Sequence, residues 1–262
     1  MDTSLARGII SATVDGPVAA ITIANPAKRN ALEPESYRVI GDLVRSAGND
    51  PGIRGVVITG DSAAFSSGMD LAAFSGVDVP GEPGVVETMV DIEYMATAIT
   101  RAPVPVIAAV EGACAGIGAS LCFLCDLIVA GESAFFTIPF TAIGLMPDGG
   151  AVATLSASVG RHRAMQMALL HSRIPAEQAR QYGLVAEVAA GARERAVEIT
   201  RGFAASPREA LARTKAAVNR ASLAQLPQAL ETEAAVQTRL LGTPEHAEGV
   251  AAFIEHRPPR FR

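Results

Sequence analysis

Short apolar runs and amphipathic stretches alternate through the first half of the chain, and the second half keeps mostly the amphipathic kind. Residues 8–14 (GIISATV) and 18–23 (VAAITI) are β-prone runs joined by Asp15-Gly16-Pro17, which predicts a hairpin. Asn25-Pro26 ends it, and 27–31 (AKRNA) is a polar loop with Lys28 and Arg29 side by side. Pro34 opens a predicted helix to about Gly48, with Tyr37, Ile40, Leu43, Val44 and Ala47 at helical spacing. The run 55–59 (GVVIT) predicts a strand, and the small-residue loop 60–74 follows it. A Gly/Pro-rich loop over 75–84 precedes a predicted helix from about Val85 to Arg101, which carries Glu87, Asp91 and Glu93.

The stretch from Pro105 to Asp126 is the most apolar. A predicted buried strand, Val106 to Val110, breaks at Glu111-Gly112, and Gly116 and Gly118 open a helical segment without charge until Asp126. Glycines there let another backbone come close, and a helix start leaves N–H groups able to receive negative charge. We expect this turn to form half of an oxyanion hole. Two more strands are predicted at 127–130 (LIVA) and 135–140 (FFTIPF, broken at Pro139), leading into 143–151 (IGLMPDGGA). From Ser156 onward come helices at about 160–172, 176–182, 192–205, 207–221, 226–241 and 244–256, interrupted by a strand at 184–188 (LVAEV). The order predicts an α/β core with an appended helical region, folded as one unit.

With 262 residues, 49% hydrophobic and 19% charged, the chain is long and apolar enough for a sizeable core. A net charge of −5 disfavours nucleic acid as a partner. The N-terminus lacks a signal-peptide layout and no apolar run reaches membrane-spanning length, so the expectation is a soluble, cytoplasmic protein with no membrane partner. Cys114, Cys122 and Cys125 read as buried, reduced thiols; they lack a fourth ligand, and no metal site is expected. His162, His171, His246 and His256 read as surface positions or subunit contacts. A dinucleotide turn fails because Leu121 stands where the third glycine would be.

Taken together, NPAKRNAL (25–32), AFSSGMDL (64–71), PVIAAVEGACAGIGASL with CDLIVA (105–130), IGLMPDGG (143–150), 160–185 and GVAAFIEHRPPRF (249–261) resemble the crotonase superfamily of enoyl-CoA hydratases and isomerases, in order and spacing over nearly the full length. The resemblance implies an α/β fold: a crotonase-like superhelix of ββα turns over 1–200, with a helical region over 201–262 that packs on the core and a neighbouring subunit in a homotrimer or a dimer of trimers. It implies an acyl-CoA substrate and no prosthetic group; coenzyme A enters as part of the thioester. The thioester oxygen would sit between the backbone N–H groups of Met69 and Ile117, with Gly68, Gly116 and Gly118 permitting the tight approach. Lys28, Arg29, Ala31, Ser67, Gly68, Met69, Asp70, Leu71 and Gly116 would hold CoA. Phe253 and Arg257 match positions that in relatives reach the neighbouring subunit's CoA; His256 stands where lysine is common.

Family hydratases use two glutamates, which align here with Ser120 and Phe140. Neither position is acidic, so the expectation is a shift of the enoyl-CoA double bond, with Asp148 as acid/base in the place where an isomerase branch carries its carboxylate. Asp148 could instead cap the helix after it. Glu87, Asp91 and Glu93 could reach the acyl pocket or be solvated. A 2-enoyl-CoA hydratase and a non-catalytic acyl-CoA binder are the competing readings, and the net charge argues against an RNA-binding member of the fold.

Overall fold

The computed structural model describes residues 4–61, 63–71 and 83–261. The hairpin is preceded by a further short strand. Strands β1 (Ser4–Arg7), β2 (Ile10–Asp15) and β3 (Val18–Ile23) form an antiparallel meander at one edge of a seven-stranded sheet. Past β3 the sheet is parallel, adding β4 (Gly55–Gly60), β6 (Val106–Val110), β8 (Leu127–Gly131) and β11 (Glu187–Ala189) in the order β1-β2-β3-β4-β6-β8-β11. A second sheet runs β10 (Ile174–Pro175), β9 (Phe135–Thr137), β7 (Ala113–Ala115) and β5 (Ala64–Ser66).

Every residue of β4 and β6 is buried, as a parallel sheet covered on both faces requires. The period of two sorts their side chains. Val57, Ile107, Ala109 and Val129 pack with Ala192 and Ala196 of α7 (Ala192–Gly202). Val56, Ile58, Val106 and Ala108 join the main core under α1 (Pro34–Asn49) and α2 (Pro83–Arg101). The α1 stripe read from the sequence is buried in full, and the Ser36 hydroxyl accepts the Glu33 N–H at 3.2 Å to close its first turn.

Departures from the predicted elements have local causes. Strand β9 stops at Thr137 because Pro139 has no N–H to donate, and Phe140–Ile143 wind into a 3-10 turn instead. The strand read at 184–188 is shifted to Glu187–Ala189, leaving Leu184 and Val185 buried in the turn before it. The helical region begins at α4 (Ala151–Val159), earlier than Ser156, and continues through α5 (Arg161–Leu170) and α6 (Ala176–Gln181). The loop read over 75–84 lies outside the described residues except for Pro83 and Gly84, which belong to α2.

Three C-terminal helices then clamp the core. In α8 (Arg208–Ser222) the buried Lys215 ammonium meets the Asp126 carboxylate at 2.7 Å and the carbonyls of Ile99 and Val104 at 2.8 and 3.2 Å. Asp126 also accepts the Val106 N–H at 2.7 Å, and burial holds its carboxyl above the usual carboxylate range despite the ammonium. The α9 helix (Leu226–Leu240) buries Leu226, Leu230, Glu233 and Gln237 in one stripe. The α10 helix (Pro244–Ile254) starts at Thr243, whose hydroxyl accepts the His246 N–H. Two of the histidines, read as surface positions or subunit contacts, are half-buried and bonded within the chain. His246 Nδ1 lies 2.9 Å from the Ile143 carbonyl, and His171 Nε2 lies 2.6 Å from Thr141 Oγ1, so both tie helices to the 140–143 turn. Among the described residues no helix is long and apolar enough to cross a membrane.

Candidate active site

The polar loop after β3 is built into the wall of a cavity. Asn30, fully buried, accepts the Asn25 N–H at 2.9 Å and donates to the carbonyls of Asp61 and Ala64, both at 2.7 Å. This residue was given no role in the sequence reading, although it lies inside the NPAKRNAL motif. The loop is also zipped to the chain after β5: Leu32 N–H donates to Gly68 O at 2.7 Å and Asp70 N–H to Leu32 O at 2.9 Å. In that parallel bridge Leu32 uses both its backbone groups on the residues flanking Met69, so the Met69 N–H is turned away from Leu32.

Gly68 stands directly against the next wall. Its φ is +99°, and a Cβ there would lie 3.1 Å from the Ala115 carbonyl; one on Gly116, at φ +54°, would lie 3.6 Å from the Gly68 Cα. At Gly68 the positive φ and this close approach together call for glycine; at Gly116 the contact would be an ordinary one, and only the left-handed backbone favours glycine. Gly116 opens α3 (Gly116–Leu124), and no side chain caps that helix. Ile117 is its second residue, so its N–H has no intrahelical acceptor.

The same cavity is lined by Asp148. Gly149 and Gly150, at φ +66° and +80°, turn the chain sharply from it into α4, and Gly149 presses on α3: a Cβ there would sit 2.5 Å from Ile117 Cδ1 and 3.0 Å from Ser120 Cβ. Asp148 is 1% exposed. Its Oδ2 accepts a hydrogen bond from Gln237 Nε2 at 2.7 Å, while Oδ1 has no partner among the described residues. Burial pushes this carboxyl up to about 7, opposed by the Gln237 hydrogen bond and the residue's own N–H. The capping alternative is not what the structure holds. Asp148 meets α4 only through its backbone carbonyl; Glu233 of α9 takes the helix N–H groups, from Gly150 at 2.7 Å and Val152 at 3.3 Å. Burial raises Glu233 to about 7 as well, with the Asp148 charge adding to the shift.

Lys28, Arg29, Ala31, Ser67, Gly68, Met69, Asp70, Leu71, Gly116, Ile117, Asp148 and Phe253 line a single cavity of about 650 Å³. Arg257 is not among its lining residues; its guanidinium is held by Glu248 at 2.6 and 2.9 Å and by Glu255 at 2.5 Å. Phe253, Ile254 and His256 line the cavity of their own chain. Lys28 Nζ is 2.5 Å from Asp70 Oδ2, a contact that raises the lysine's pKa, and its side chain remains half exposed. Of the acidic residues on α2, none lines the cavity: Asp91 pairs with Arg38 at 2.5 Å, and Glu87 and Glu93 are exposed. Met89 from that helix does line it, with Phe140, Ile143, Leu145 and Leu241 completing an apolar end around Asp148 and Gln237. Ser120 is buried behind this wall, its hydroxyl 3.4 Å from the Gly116 carbonyl.

The arrangement sets a buried carboxyl and a helix start in the lining of one apolar cavity whose outer rim carries Lys28 and Arg29, a geometry suited to an anionic carrier with an apolar acyl group. Known proteins resemble the chain over nearly its full length. Over 253 residues the chain is 32% identical to 1,2-epoxyphenylacetyl-CoA isomerase of Escherichia coli (strain K12), covering 95% of this chain and 96% of that one. Over 244 residues it is 34% identical to 2,3-dehydroadipyl-CoA hydratase of the same strain, covering 92% and 94%. The crystal structure of an enoyl-CoA hydratase from Mycobacterium avium subsp. paratuberculosis K-10 superposes with a TM-score of 0.89 at 38% identity, covering 97% and 99%. The mixed α/β build with parallel sheets is therefore the crotonase fold. Residues 13–262 match the enoyl-CoA hydratase/isomerase family, and the chain belongs to that family of the crotonase superfamily.

Proposed function

We propose that this acyl-CoA enzyme moves a double bond from the 3- to the 2-position of an enoyl-CoA, with Asp148 carrying the proton. The observation that carries the reading is the state of the two carboxyls that line the cavity among the described residues. Asp70 is engaged by Lys28, whereas Asp148 is buried and its Oδ1 has no hydrogen-bond partner among them. The ionised Asp148 takes a proton from C2 of the acyl chain. The electron pair moves into the thioester, and the resulting dienolate oxygen is stabilised by the N–H groups of Met69 and Ile117. The same carboxyl returns the proton to C4, which leaves the double bond conjugated with the thioester. Two backbone donors suit this role because they are held rigidly and need no side chain. Lys28 and Arg29 at the rim complement the phosphates of CoA.

Hydration needs a base and an acid converging on one water. The positions that align with the family's two glutamates are Ser120, whose hydroxyl is turned to Gly116, and Phe140, which lines the apolar end. Mixing the protein with a trans-3-enoyl-CoA should therefore raise the absorbance of a conjugated enoyl thioester. Crotonyl-CoA should not be consumed at a comparable rate. Efficient hydration of crotonyl-CoA would overturn the assignment, and binding without turnover of either compound would favour a non-catalytic acyl-CoA binder.

A further inference from the structure

Glu233 and Gln237 stand four residues apart on α9, on the face that elsewhere buries Leu226 and Leu230. They are 2% and 1% exposed. Polar side chains in such a stripe must find partners or destabilise the fold, and both find theirs on the Asp148 loop. Gln237 is fully engaged there. Its Oε1 accepts the Met146 N–H at 3.3 Å, and its Nε2 donates to the Met146 carbonyl at 3.1 Å and to Asp148 Oδ2 at 2.7 Å. Glu233 holds the far side of the same loop through the Gly150 and Val152 N–H groups.

We propose that Gln237 is a positioning residue for the proton-transferring carboxyl: it pins Asp148 through Oδ2, which leaves Oδ1 as the oxygen that faces the acyl chain. The proposal rests on the reading of Asp148 given above. An amide suits the task because it can donate to a carboxylate while accepting from a backbone N–H, and it does not titrate. A carboxyl with one oxygen fixed cannot rotate to exchange its two oxygens, so the proton is taken and returned along one line. Glu233 fixes the backbone on which the carboxyl stands, and the charge on one of these two carboxyls opposes charge on the other. The other titratable or charged groups bearing on Asp148 are Tyr37 of α1, whose buried phenol Asp148 pushes further up, the Lys28–Asp70 pair and Arg29 on the cavity wall, and exposed His256 at the rim.

Gln237→Leu and Gln237→Met, two apolar replacements of similar size, should each lower kcat by about ten- to a hundredfold, the worth of a hydrogen bond to a charged group. KM should change little, because CoA is gripped elsewhere. The hydrogen bond favours the ionised carboxyl, so its loss should move the acidic limb of the kcat profile to higher pH. Thermal unfolding and binding of the 2-enoyl-CoA product report whether each variant is folded. Should either folded variant keep the parent's kcat and pH profile while Asp148→Asn is inactive, the positioning role falls and the reading of Asp148 survives. Parent-like turnover by Asp148→Asn overturns both.

Discussion

Asp148→Asn turns over a trans-3-enoyl-CoA roughly 10²- to 10⁴-fold more slowly than the parent, with a KM for the thioester close to the parent's. The amide occupies the same space and can still meet Gln237, but it can neither take a proton from C2 nor return one to C4. Initial rates of conjugated-thioester absorbance measure the loss, and full turnover by this variant would end the assignment. In the parent, turnover should fall as pH drops through about 7, because only the ionised carboxyl can act as the base. The same carboxyl makes a stability prediction of definite sign. Its folded pKa lies above the ordinary value of about 3.9, so the native state binds the proton more tightly than the unfolded one. Stability is then greatest below about 4 for this group and is lost as pH rises towards 7; Glu233 acts in the same direction. Unfolding of Asp148→Asn followed against pH should show less of this decline, so that the variant gains stability relative to the parent at pH 8. Chemistry and stability pull apart at this residue.

Lys215→Met should destabilise the fold by about 3–5 kcal/mol, measured by urea unfolding, with little direct effect on the cavity. The methionine fills the stem's space but leaves Asp126 with its charge and one remaining N–H donor, from Val106, and leaves the carbonyls of Ile99 and Val104 without the ammonium. Adding Asp126→Asn to Lys215→Met should recover part of the loss, because the uncompensated charge is then gone. A double variant that is worse than the sum of its parts would show that the aspartate is held by something other than this lysine.

The larger elements were legible in the sequence because their patterns are plain: the α1 stripe keeps a helical period, and the runs that became β4, β6 and β8 are continuously apolar, as strands covered on both faces are. Strands β5 and β7 are three residues long, too short for a period to declare itself, yet they bring Ser67–Asp70 and Gly116–Ile117 to one wall. Their motifs could be recognised where their secondary structure could not. Asp148, singled out through the resemblance of the 143–150 segment, does line the cavity. Asn30, Glu233 and Gln237 were not assigned. For Asn30 the reason is physical: its partners, Asp61 and Ala64, are more than thirty positions away and are backbone carbonyls, which leave no pattern. The pair on α9 did leave a signal. Leu226, Leu230, Glu233 and Gln237 advance by steps of four, three and four, so two polar residues occupy the positions of an apolar seam. Arg257, expected to reach the CoA of a neighbouring subunit, is held within its own chain by two glutamates of its own segment.

The partners of the Asp148 loop come from far along the chain: Glu233 lies 83 positions beyond Gly150, and Gln237 lies 89 beyond Asp148. A chain emerging from the ribosome would thus present the glycine-lined thioester turn well before it could complete the proton-transfer loop. Until α9 docks, Asp148 lacks the Gln237 amide and the start of α4 lacks the Glu233 carboxylate, so order in this loop waits on that helix. If Asp148 is the base proposed above, turnover requires a chain complete through α9 and is a stricter measure of full-length folding than thioester binding.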